Sequence, residues 1–338
     1  MDFMISLRDP RNPKRRTAPR YLVIEDGAAA PTQLGLSAWA SRVIAQFPPI
    51  AMKNPDRVVR TGDILFLVHG FNVDSAEALK FHHNCASSLR ASGWKGVVIS
   101  YDWPSDGLVF AYLPDREDAR DAASKMIRSA ISVLQDRQAK DCTINVHVMA
   151  HSMGAFVTQQ AFTNAYQDVP KGWRVGQVLL VSGDVDHTVF SAEHATAKAF
   201  VEHAGRLTCY TNRRDKALLA SNVKRLALAP RIGRVGLPDD SPRPMVEVNC
   251  TGVFEALPPT IRDSLDPSPS HSFYFDQRAF WDDVVLTLNA GLDRSDYPNR
   301  APQDGGKVPN RFVLGATPMS DGIYHAALAQ ATSSIPSN

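Results

Sequence analysis

The chain has 338 residues, with 37 Lys and Arg against 35 Asp and Glu, a formal net charge of +2. That balance supplies no global field for nucleic acid or an anionic membrane surface. The 44% hydrophobic and 21% charged content is that of an ordinary globular chain long enough to bury a sizeable core. No stretch approaches the ~20 apolar residues of a transmembrane segment. The start, Met1-Asp2-Phe3-Met4, carries an acid where a signal peptide needs bases. The cysteines at 85, 142, 209 and 250 form no Cys-x-x-Cys pair, and no His-Glu-x-x-His occurs. The expectation is a cytoplasmic, reduced protein with no metal site and no cofactor.

Residues 1–60 are rich in Pro and Arg and read as a partly ordered N-terminal extension with one strand-like piece at 21–24. The basic run Arg11, Lys14, Arg15, Arg16 and Arg20 reads as a solvated tail. From residue 61 short β-rich runs alternate with helical stretches. Residues 64–68 are continuously apolar, as in a parallel strand covered on both faces. Residues 74–92 read as a helix, with Asp74 as N-cap and Glu77 completing a capping box. A strand is expected at 97–101, then turn chemistry in Trp103-Pro104-Ser105-Asp106-Gly107. Helical spacing follows over 116–137, then a strand at 144–149 and a helix at 152–166. Strands at 178–181, 207–210 and 245–249 and helices near 192–203 and 280–288 complete the series. Alternation of this kind predicts an α/β fold, a mostly parallel central sheet with helices on both faces. Residues 61–290 read as one domain and 291–338 as a polar C-terminal tail.

The strongest local signal is Ala150-His151-Ser152-Met153-Gly154, between a strand and a helix. A nucleophile on so tight a corner needs small residues two places to either side, and Ala150 and Gly154 meet that need. Ser152 is the expected nucleophile. His69-Gly70-Phe71-Asn72 ends the first apolar strand. Its Gly70 lets the backbone turn an N–H toward a substrate carbonyl, so Phe71 or Asn72, together with Met153, are the expected oxyanion donors. His69 precedes the serine and reads as a brace for this loop. His271, on a loop after the late strand, is the expected base. The acid is open between Asp215, which follows the strand at 207–210, and the pair Asp184 and Asp186 one strand earlier. Asp215 also suits a helix N-cap. Trp103, Leu108, Phe110 and Tyr112 form an apolar cluster after the second strand and are expected to line a substrate pocket.

Taken in order, these motifs resemble a bacterial family of alpha/beta hydrolases of unassigned function. The resemblance runs through His69-Gly70-Phe71-Asn72-Val73, Ser100-Tyr101-Asp102-Trp103-Pro104-Ser105, Ala150-His151-Ser152-Met153-Gly154, Asp184-Val185-Asp186, Asp215-Lys216-Ala217-Leu218 and Ser270-His271-Ser272, over roughly residues 60–290. It implies the alpha/beta-hydrolase fold, with Ser152 as nucleophile, Asp215 as acid and His271 as base. The expected activity is hydrolysis of a small-molecule carboxylic ester by a carboxylesterase or small lipase. Thioester, lactone or amide cleavage, acyl transfer, and a non-catalytic binding module are the alternatives. Ser152 argues against a dehalogenase or epoxide hydrolase, which place an aspartate at this corner.

Overall fold

The computed structural model describes residues 1–25, 30–50, 59–105, 112–131, 143–168, 173–224 and 229–333. The chain divides into two compact units, one of Met1–Ala86 with Lys95–Val175, the other of Ser87–Trp94 with Gly176–Asn338. Both carry the expected α/β pattern of mostly parallel strands and helices.

In the first unit the strands are β1 (Asp2–Arg8), β2 (Arg16–Ile24), β3 (Thr32–Leu34), β4 (Pro49–Ile50), β5 (Val59–Val68), β6 (Val97–Asp102) and β7 (Thr143–His151). Their order is β7-β5-β6-β1-β2-β3, with β4 against β5. β7, β5, β6 and β1 are mutually parallel, so the segments that follow β5, β6 and β7 leave from one edge. The apolar run of β5 is buried throughout, from Ile64 to Val68, which is why it reads as continuous rather than alternating. The capping box forms as expected: Asp74 N–H donates to Glu77 Oε2 at 3.0 Å and Glu77 N–H to Asp74 Oδ1 at 2.8 Å. It opens the helix Ser75–Ala91. The helical pattern at 116–137 becomes a helix at Tyr112–Met126 and a wider turn at Ile127–Ile131; residues 132–137 lie outside the described residues.

The stretch that reads from sequence as an extension contributes strands of its own. β1 is buried along its length and pairs in parallel with β6. Phe3, Ile5 and Leu7 are fully buried, and Phe3 meets Trp39 edge-on at 5.8 Å. Arg11, Lys14 and Arg15 are exposed in the turn joining β1 to β2, closed by Asp9 N–H to Arg15 O at 2.9 Å.

Arg8, at the end of β1, is buried. Its Nε donates to Asp102 Oδ1 at 2.7 Å, and its Nη2 to the carbonyls of Val73 at 2.6 Å and Trp103 at 2.8 Å. One guanidinium thus ties together the segments that follow β5 and β6. Burial alone would push the Asp102 carboxyl up, but His69 and Arg8 hold it below its ordinary value. Arg8→Met would strand that carboxylate without its cation. We expect a stability loss of about 3–5 kcal/mol, read as a lower urea midpoint. An unchanged midpoint would show that Asp102 is satisfied without Arg8.

The second unit holds β8 (Val175–Val181) from Gly176 on, β9 (Ala204–Thr211), β10 (Met245–Asn249), β11 (Arg300–Pro302) and β12 (Arg311–Leu314), ordered β11-β12-β10-β9-β8. β9, β10 and β12 are parallel and β11 is antiparallel. The segment read as a tail supplies β11, β12 and the helix Asp321–Ser333. Its anchor is Arg300, fully buried, which donates to both oxygens of Asp283 at 2.7 and 2.8 Å and lies 3.7 Å over the Tyr297 ring. Two-pronged pairing of this kind fixes orientation as well as charge. Tyr210 of β9 donates its hydroxyl to the same Asp283 at 2.7 Å.

Candidate active site

Ser152 occupies the corner between β7 and the helix Met153–Asp168. Its φ is 54°, a left-handed conformation that residues with a Cβ adopt at a cost. The neighbours explain how so tight a corner is built. A Cβ on Gly154 would lie 2.4 Å from Val68 O and 2.6 Å from His69 O, so the helix start presses directly on the end of β5. A Cβ on Gly70 would lie 2.9 Å from Ser152 Cβ and 3.4 Å from its Oγ. Ala150, fully buried, pairs with Val68 in the sheet. Gly70 and Gly154 are therefore required by close approach.

Helix geometry leaves the amides of Met153 and Gly154 without an acceptor inside their own helix. Met153 is buried, Phe71 half-buried and Asn72 exposed. Asn72, like Ser152, is left-handed, with φ 58°. His69 braces this loop. Its Nδ1 is 2.9 Å from Gly70 O, and its Nε2 is 3.2 Å from both Asp102 Oδ1 and the Trp103 amide. Trp103, expected to line a substrate pocket, is fully buried and serves the same brace. Its ring stacks on His69 at 5.5 Å and its Nε1–H donates to His69 O at 2.9 Å. Leu108 and Phe110 lie outside the described residues, and Tyr112 opens the helix Tyr112–Met126.

In the second unit His271 and Asp215 form a dyad: His271 Nδ1–H donates to Asp215 Oδ2 at 2.7 Å. Asp215 follows β9 and is fully buried, while the His271 side chain is 13% exposed. Asp215 Oδ1 accepts the Leu218 amide at 2.9 Å, so the N-cap role coexists with the dyad. The helix Ser268–Ser272 is held to the Asp215 loop by two contacts. Asn212 Nδ2 donates to Ser270 O at 2.8 Å, and Lys216 N–H donates to Ser270 Oγ at 2.9 Å. Phe273 and Tyr274 then stack at 4.1 Å and carry the chain into the aromatic core around Phe280.

The electrostatics of the pair run in opposite directions. Burial pushes His271 down, but the charge and hydrogen bond of Asp215 and the charge of Asp184 raise it above its ordinary value. Burial pushes Asp215 up, but His271, the Leu218 amide and Ser182 bring it below its ordinary value. The competing acids face other partners. Asp184 Oδ1 lies 3.2 Å from Arg231 Nε and accepts Ser221 Oγ at 3.2 Å, and Asp186 pairs with Arg231 Nη1. One residue that the sequence did not single out belongs to the dyad: Ser182, whose hydroxyl donates to Asp215 Oδ2 at 2.5 Å.

Residues 54–254 match a family model described as alpha/beta hydrolase of unknown function (DUF900), a span that includes Ser152 and Asp215. Among solved structures, an esterase from Pyrobaculum calidifontis is 14% identical, with 75% of this chain and 89% of that chain covered and a TM-score of 0.34. The phospholipase PlaB from Legionella pneumophila in complex with thio-NAD is also 14% identical, with 55% of this chain and 37% of that one covered and a TM-score of 0.24. No curated protein matches. Among the described residues, no helix is long and apolar enough to cross a membrane.

Proposed function

Because the chain belongs to this family of alpha/beta hydrolases of unknown function, we propose that it is a serine hydrolase that cleaves carboxylic esters, a carboxylesterase or small lipase, with Ser152 as nucleophile, His271 as base and Asp215 as acid. The observation that carries the reading is Ser152 in a left-handed corner between strand and helix, walled by Gly70 and Gly154. The dyad of His271 and Asp215 supports it from the second unit.

In this reading His271 Nε2 takes the Ser152 hydroxyl proton as Oγ attacks the ester carbonyl carbon. The carbonyl π electrons move onto oxygen, where the amides of Met153 and of Phe71 or Asn72 stabilise them. Collapse expels the alcohol oxygen, which receives the proton from His271, and leaves Ser152 acylated. Water then attacks, His271 takes its proton, and the acid departs as Oγ is protonated again. Asp215 holds the imidazole with Nδ1 protonated and stabilises the imidazolium. The substrate is a small-molecule ester, and hydrolysis of a chain-length series of p-nitrophenyl esters tests the reading.

The raised His271 sets the pH dependence. Only neutral imidazole accepts the serine proton, so kcat/KM is expected to fall as pH drops through the His271 pKa. That limb lies above the ordinary histidine value of about 6.5 because Asp215 and Asp184 outweigh burial. The stability linkage has the reverse sense for this group. The His271 contribution is complete below its unfolded pKa and is lost as pH rises through the raised folded one. The Asp215 contribution is present above the ordinary carboxylate range and is lost as pH falls through its depressed folded value. A pH profile of kcat/KM whose acid limb lies below the ordinary histidine range would remove His271 as the base.

A further inference from the structure

Ser182 follows β8 and is fully buried, with φ 47°. This is a conformation that glycine adopts freely and a residue with a Cβ does not. A glycine here would have relieved the backbone. The surroundings leave no room for the turn to relax. A Cβ on Gly233 would lie 2.3 Å from Ser182 C, and Ser182 N–H is committed to Tyr210 O at 3.0 Å. A strained serine at a closed position points to its hydroxyl. That hydroxyl donates at 2.5 Å to Asp215 Oδ2, the same oxygen that accepts His271 Nδ1–H at 2.7 Å, and lies 3.4 Å from the Tyr274 hydroxyl.

We propose that Ser182 is a positioning residue: its hydroxyl fixes Asp215 Oδ2 in one orientation toward His271 and takes up part of that oxygen's charge. The inference deepens the hydrolase reading and rests on His271 as its base. With Leu218 N–H on Oδ1, the carboxylate is held at both ends and cannot rotate. Sharing Oδ2 between two donors also limits how strongly Asp215 attracts the imidazolium, so the base is held upright without being over-stabilised in its protonated form. Asp184 also raises His271 through its charge, and is itself engaged by Arg231 and Ser221.

The experiment compares the full-length wild type with Ser182→Ala and Ser182→Gly. The His271 imidazole is followed by NMR across pH, assigned by the resonance absent from His271→Gln, and p-nitrophenyl ester kinetics are measured on the same samples. The proposal expects the His271 midpoint to move upward in both variants, because Oδ2 loses its second donor. It expects kcat to fall about tenfold with KM unchanged, and Ser182→Gly to fold as well as the wild type. A His271 midpoint unmoved in both variants would overturn it. So would failure of both variants to fold, which would assign the hydroxyl to the fold instead. An upward midpoint in a protein whose wild type turns over no ester would keep Ser182 as a partner of the dyad and remove the hydrolase reading.

Discussion

Ser152→Ala is expected to lower ester turnover by about 10⁴–10⁶-fold and to abolish covalent labelling by a fluorophosphonate, with the thermal midpoint unchanged. Stability should hold because alanine keeps the Cβ and the same left-handed backbone at φ 54°, so the strain of the corner is neither relieved nor increased. Only the hydroxyl oxygen is removed. Asp215→Asn is the informative companion. An asparagine can keep its carbonyl toward the Leu218 amide, preserving the cap, but then turns its NH₂ toward His271 and Ser182. His271 Nδ1 would have to accept rather than donate, which places the ring proton on Nε2 and blocks transfer from Ser152. The expected loss is about 10³–10⁴-fold, at nearly unchanged helix stability. Turnover and labelling that persist in Ser152→Ala would sink the nucleophile assignment. A wild type that is neither active nor labelled would favour a binding module built on the same fold.

What the sequence revealed, and what it hid, follows from the range of each interaction. The corner at Ser152 was legible because its requirements are local: a strand, two small residues and a helix within a dozen positions. Asp215 was legible for a related reason, since it lies just after a strand in the expected order, whereas His271, read as a loop residue, sits in the short helix Ser268–Ser272. Among the candidate acids, Asp215 was favoured over the pair at 184 and 186 by its place after the strand at 207–210, and the resemblance pointed the same way. The structure shows what distinguishes them physically, since Asp215 directly bonds His271, while Arg231 engages both alternatives. Arg8 was hidden by its neighbours: among exposed bases at 11, 14, 15 and 16, nothing marks one arginine as buried against an aspartate 94 positions away. β1 was hidden because Asp2, Ser6 and Arg8, which alternate with Phe3, Ile5 and Leu7, read as a solvated face but are buried, Ser6 and Arg8 against Asp102 far along the chain. Trp103 reads as an aromatic available to substrate, and only its bonds to His69 show a brace. Ser182 was the least legible, because a serine after a strand is common. Its sign is a left-handed φ beside a glycine, which a sequence does not display.

Gly154→Ala is expected to damage activity more than stability, by about 10²-fold in kcat. In an unconstrained helix this change adds about 1 kcal/mol of stability, because alanine has the higher propensity. Here the new Cβ would meet Val68 O at 2.4 Å, His69 O at 2.6 Å and Val68 C at 2.9 Å. All three are backbone atoms of β5 and its exit loop, so no side chain can swing aside. Relief requires the start of the helix Met153–Asp168 to back away from β5 by a large fraction of an ångström, at an overpacking cost of about 1–3 kcal/mol. The propensity gain offsets part of that, leaving a modest net loss of stability. The displacement cannot be offset in the same way. Met153 is the first residue of that helix and Ser152 the corner before it, so Ser152 and the adjoining Met153 amide shift together relative to Gly70. Gly252→Ala is the control: it also lies in a helix, Thr251–Glu255, but its added Cβ would meet nothing within 4 Å. That variant should keep wild-type turnover and gain slightly in urea midpoint. If Gly154→Ala matched the control in both kinetics and denaturation, the close approach of the helix to β5 would not be what holds Ser152 in place.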